Sequence, residues 1–77
     1  MVNEPNPNRI DDAVLALLYL TLHEGDRAWK TFDWAAMRRL HEKGYISNPV
    51  GKQKSVGLSD EGVKEAERLF KELFCRR

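Results

Sequence analysis

Five cations crowd the middle of the chain: Arg38, Arg39 and Lys43 in "MRRLHEK", and Lys52 and Lys54 in "GKQK". Such side chains do one kind of chemistry unaided. They neutralise phosphate, and an arginine can also pair bidentately with guanine. The plain alternative is a solvated helix face followed by a polar turn. Charge along the chain makes the first reading worth carrying. Residues 1–26 hold a net −4, residues 27–57 a net +5, and residues 58–77 are balanced. The total of +1 over 77 residues points to no partner by itself.

Other residue types offer less. "HEGD" at 23–26 puts His23 beside Glu24 and Asp26, a set that would suit a metal or a general base, but a histidine near a helix end is also favoured by the dipole. His41 is far off in sequence, and no Cys/His ligand spacing is present. No nucleophile-and-base set and no glycine-rich phosphate loop stands out. The expectation is therefore no enzyme, no cofactor and no metal. Cys75 is the one cysteine, so no internal disulfide can form, which suits a reducing compartment. Trp29, Phe32 and Trp34 would serve for stacking on bases of a single strand. In so short a chain they are expected instead to fill the core, with Tyr19 and Tyr45 at its edge.

These groups need elements to position them. Residues 1–8, with Pro5, Pro7 and three asparagines, read as a disordered lead-in to a single domain over 9–77. A first helix is expected from about Arg9 to His23, capped by Asn8, with Asp11 and Asp12 opposing its dipole and Gly25 stopping it. It is apolar on nearly every face. Either it is central, or one side is left for another subunit. "DRAWKTF" is a connector. A second helix over about 32–43, capped by Thr31 or Asp33, turns Phe32, Ala36, Met37 and Leu40 inward and ends at Gly44. Residues 45–47 and 55–58 read as two short strands around the turn "NPVGKQK". Ser59 caps a last helix whose apolar face is Val63, Ala66, Leu69, Phe70, Leu73 and Phe74. The fold class is α+β and mostly helical, in the order helix, short turn, helix, β-hairpin, helix.

That order, with Met37, Leu40, Glu42, Lys43, Gly44, Tyr45 and Ile46 followed by Leu58-Ser59-Asp60-Glu61-Gly62, resembles a winged-helix domain. The pattern is similar to the recognition helix and wing of bacterial MarR-like and PadR-like repressors, "LxxLexkGyI" and then "LTdeG". The resemblance covers roughly residues 32–70. It implies a regulator that binds duplex DNA through Arg38, Arg39, Lys43, Lys52 and Lys54. Only about seven residues separate the first two helices, so the separate positioning helix of a complete helix–turn–helix is missing. The resemblance is therefore to a trimmed winged helix. The whole chain also resembles a family of short bacterial proteins of unknown function that share "LLYLTLHEGDRAWK", the Phe-Asp-Trp segment and "HEKGYI".

The rival expectation is a protein-interaction module on the same scaffold. Its supporting features are the excess apolar surface of the first and last helices and the near-zero net charge. The nucleic-acid binder is itself expected to be a homodimer, and the last helix's apolar face, Val63, Leu69, Phe70 and Phe74, is the expected interface. The most apolar run, Ala13 to Leu22, is shorter than the roughly 20 residues that span a bilayer. "MVNEPNPNR" does not open as a signal peptide, so a cytoplasmic protein is expected.

Overall fold

The structure, a computed structural model, describes residues 3–30 and 33–76. The chain is α+β and mostly helical: α1 is Pro7–Leu20, β1 Arg27–Trp29, α2 Trp34–Glu42, β2 Ser55–Gly57 and α3 Asp60–Phe74. α1 is the central element, packed along α3 and also against α2 and β1. The helix is central, with Ile10 and Leu20 left exposed on it. Leu15, Ala16 and Leu18 are buried, and Val14 nearly so, against Met37, Leu40, Ala66 and Leu69.

Helix ends follow local chemistry. α1 begins two residues earlier than the sequence suggests. Asn6, not Asn8, is the cap, and Pro7 takes the first helical position, where its missing N–H costs nothing. Of the segment 1–8, Met1 and Val2 lie outside the described residues, residues 3–6 are exposed, and Pro7 and Asn8 are helical. α1 also stops at Leu20 rather than His23. His23 and Arg27 exchange backbone hydrogen bonds of 2.8 and 3.0 Å around Glu24 and Gly25, both at positive φ. "HEGD" is thus a tight turn that reverses the chain into β1.

Asp33 caps α2, accepting a hydrogen bond from the Ala36 N–H at 3.1 Å. The alternative cap Thr31, and Phe32 of the expected inner face, lie outside the described residues. At the other end the Tyr45 N–H reaches the Leu40 carbonyl across Gly44, whose φ of 83° suits a glycine closing a helix. Ser59 caps α3 by accepting from the Gly62 N–H at 2.9 Å, while its hydroxyl donates to the Gly44 carbonyl at 2.7 Å. One serine therefore starts α3 and ties it to the end of α2.

The antiparallel pair is built differently from the expected hairpin. β2 pairs with β1, Arg27 opposite Gly57, Ala28 opposite Val56 and Trp29 opposite Ser55. The connector "DRAWKTF" supplies that strand because Ala28, with no exposed surface, fits under the sheet while its neighbours face out. Residues 45–47 form no strand and are joined to the end of β2 by the single bridge Ile46–Leu58, with the Ser47 N–H donating to the Gly57 carbonyl and the Ser59 N–H to the Tyr45 carbonyl. Beyond it Pro49 has no N–H to give, and the Asn48 side chain accepts from the Val50 N–H, turning the chain away.

Gly62 allows α3 to approach the 44–46 segment. A Cβ there would overlap the Tyr45 carbonyl. In a free helix Gly→Ala stabilises by about 1 kcal/mol; here Gly62→Ala is expected to destabilise by about 1–3 kcal/mol. Urea unfolding checks the sign, and an unchanged or raised midpoint would contradict the close approach.

Candidate functional site

Arg39 on α2 and Lys43, the residue that caps its end, lie one turn apart and both turn toward α1. There they meet Asp11, which has no exposed surface. Arg39 donates from Nε at 2.9 Å to each carboxylate oxygen and from Nη2 at 2.8 Å, and Lys43 Nζ donates at 3.0 Å. The expected place of Asp11, opposing the dipole in a first turn, is therefore corrected. With the helix starting at Pro7 it falls on the inner face, in register with Val14, Leu15 and Leu18. Burial by itself would raise its pKa. The hydrogen bonds and charges of Arg39 and Lys43 outweigh that and hold the carboxyl below its ordinary 3.8. Arg39 is in turn held above its usual value, chiefly by the hydrogen bond to Asp11.

Arg38 points the other way. It is exposed and forms no ion pair among the described residues. With Trp34, one turn before it, it lines two adjoining depressions. One, of about 380 Å³, is completed by Ala35 and Arg39. The other, of about 430 Å³, is completed by Val50 and Gly51 of the loop before β2. That loop carries Lys52 and Lys54, both exposed. It is anchored from beneath. Lys30 Nζ donates to the carbonyls of Pro49 at 2.6 Å and Gly51 at 3.3 Å, and the Lys30 N–H bonds the Lys54 carbonyl at 2.8 Å. Arg27 grips its far end through the Ser55 hydroxyl and carbonyl and the Gln53 side chain.

Of the five basic residues singled out in the sequence, Arg38, Lys52 and Lys54 thus have no ion pair among the described residues, while Arg39 and Lys43 are engaged by Asp11. The tryptophans depart from expectation. Trp34 is 59% exposed and Trp29 46% exposed, so neither fills the core. The core is closed by Met37, Leu40 and Val56 instead. Trp34 belongs to the outward, polar stripe of α2 because Ala36, Met37 and Leu40 hold the inward one. Trp29 stacks on His23 with ring centroids 4.4 Å apart, and His23 Nδ1 lies 3.0 Å from the Thr21 carbonyl. His41 Nδ1 lies 3.0 Å from the Ile46 carbonyl. No group of three or more His, Cys, Asp or Glu side chains suited to a metal occurs among the described residues.

On α3, Leu69 is buried against α1, Val63 is half-buried, and Phe70 packs on Tyr19 with centroids 5.4 Å apart. Only the end of the helix, Leu73 and Phe74, is open, beside a groove shared with Arg9, Asp12, Arg68 and Glu72. The outward face carries the expected pairs, Glu65–Arg68 at 2.8 Å and Glu67–Lys71 at 3.3 Å. Among the described residues no helix is long and apolar enough to cross a membrane.

Fold and site together define a small three-helix α+β domain in which Asp11 holds Arg39 and Lys43, beside an open cleft lined by Trp34, Arg38, Val50 and Gly51. The chain belongs to the family described as Domain of unknown function (DUF6429), which it matches over residues 6–76. It is 58% identical over 73 residues to "Uncharacterized protein y4hR" of Sinorhizobium fredii (strain NBRC 101917 / NGR234), covering 95% of this chain and 99% of that one. No solved structure matches it.

Asp11 gives a pH signature. A carboxyl whose folded pKa is lowered adds stability that is full above the unfolded value and is lost as pH falls through the lower folded value. Stability is expected to hold from neutral pH down to about 5 and to decline below about 4. Asp11→Asn should cost about 1–3 kcal/mol at pH 7 and flatten that decline, since the two cations remain partly open to water. Urea unfolding at pH 7, 5 and 3 checks both; an equally steep acid decline in the variant would contradict the assignment.

Proposed function

We propose that this protein is a winged-helix-like nucleic-acid-binding module of the transcription-regulator type, working by binding alone and in the cytoplasm. The contacts to phosphate come from Arg38 on α2 and from Lys52 and Lys54 on the loop that follows it. The observation that carries the reading is a juxtaposition: unpaired Arg38 shares a cleft with Val50 and Gly51, directly before the two lysines. A basic helix, an anchored basic loop and a returning strand follow one another in the chain, as they do in a recognition helix and its wing. Arg39 and Lys43 support the domain rather than the ligand, because Asp11 already holds their charge.

A second reading, a protein-interaction module or homodimer, is supported by one place. Leu73 and Phe74, 41% and 48% exposed, stand beside a groove lined by both charges. That surface is separate from the basic cleft, so sedimentation of the wild type and of Phe74→Ser addresses it independently.

The test of the leading reading is anisotropy with a labelled oligonucleotide between 50 and 200 mM salt. Binding is expected to weaken with salt, and Arg38→Ala, Lys52→Ala and Lys54→Ala should each flatten the log–log salt slope by about one unit. Absence of binding at 50 mM salt, or slopes unchanged in all three variants, would overturn it.

A further inference from the structure

We infer that the cleft around Trp34 takes an unpaired nucleobase, so that the preferred ligand is single-stranded rather than duplex nucleic acid. This rests on the nucleic-acid reading above and narrows it.

Three observations carry it. First, Trp34 occupies the opening position of α2 with 59% of its surface open, and no ring pair engages it among the described residues. Trp29, by contrast, is already stacked on His23. An open indole offers a face to any base, and such stacking is indifferent to sequence. Second, Trp34 and Arg38 together border both depressions, and Val50, 69% exposed, forms the opposite wall of one of them. An aromatic face, an apolar wall and a guanidinium suit a base with its phosphate, whereas an apolar peptide would leave Arg38 without a counter-charge. Third, the charge available on α2 is wrong for reading a duplex. A helix lying in a major groove relies on several side chains along its outer face. Here Asp11 has drawn Arg39 and Lys43 inward, which leaves Arg38 as the free cation of α2 among the described residues, with Glu42 following on the same helix. Further free positive charge follows directly on the loop that walls the cleft, at Lys52 and Lys54, where it can follow a flexible backbone leaving the cleft.

The whole chain carrying Trp29→Phe keeps Trp34 as its one indole and serves as the probe. Titration with a 16-nucleotide oligothymidylate at 50 mM salt is expected to quench its emission by more than half. Trp34→Ala should weaken oligothymidylate binding roughly 10-fold or more, in the range set by loss of one stacked base. The same substitution should alter binding of a 16-base-pair duplex less than 2-fold, and circular dichroism should show the fold unchanged, since Trp34 is outside the core. If duplex is bound with dependence on Arg38, Lys52 and Lys54 while oligothymidylate is bound no better and Trp34 emission is unmoved, this inference fails and the broader reading stands. If neither nucleic acid binds, both fall.

Discussion

A buried carboxylate governs how this domain is assembled. Asp11 is the one buried charged side chain among the described residues, and it is placed where α1 passes α2. Burying an unpaired carboxylate is costly, so the position is tenable only if cations reach it. Arg39 and Lys43, one turn apart, arrive together, and both are still partly wet, with 31% and 37% of their side chains exposed. The carboxylate bears most of the desolvation and the cations little of it. That asymmetry favours a net attraction, and it fixes the rotation of α2 about its axis. Once Arg39 and Lys43 face α1, Met37 and Leu40 must enter the core, and Trp34 and Arg38 must face outward.

The sheet depends on this rotation in turn. β2 has β1 on one side, and Leu58 just after it bridges Ile46 on the other, so three chain segments meet in only eight paired or bridged residues. Isolated, such a sheet would be unstable. It holds because Val56 and Leu58 bury into the same core as Leu40, and because Lys30 and Arg27 bind the loop's carbonyls and hydroxyls. Lys30 Nζ bonds backbone carbonyls, and Arg27 bonds the Ser55 carbonyl together with the Ser55 and Gln53 side chains. The loop is therefore presented by a frame, with Lys52 and Lys54 left outside it.

Much of this was legible in the sequence, and the misreadings share a cause. The three helices, the caps Asp33 and Ser59, the glycine stop at 44 and the α3 ion pairs follow from local rules that hold wherever the helix packs. Asp11 was misplaced because a carboxylate near a helix start is ordinarily a dipole partner. Its spacing of three, four and seven to Val14, Leu15 and Leu18 was the signal that it shares their face. β1 was missed because "RAW" alternates over three residues only, too few for a period to register, and its partner lies 28 residues away. The tryptophans were assigned to the core by size. Their register said otherwise, since Trp34 and Arg38 are one turn apart on the stripe opposite Met37 and Leu40.

That register bears on why Trp34 is where it is. A chain of 77 residues has little core to spare, and burying a large aromatic is among the strongest stabilising moves open to it. This fold leaves its largest side chains substantially in water while closing its centre with alanines at 16, 28, 36 and 66, each without exposed surface. Folding stability does not account for such a distribution. A single exposed apolar residue needs no account, but Trp34 and Val50 are adjacent across a cleft, from segments separated by 16 residues, and a guanidinium lies with them. The same rotation of α2 that satisfies Asp11 brings the three together. The arrangement is thus fixed by the core and directed at the solvent, which is the relation that the proposed base-binding cleft requires.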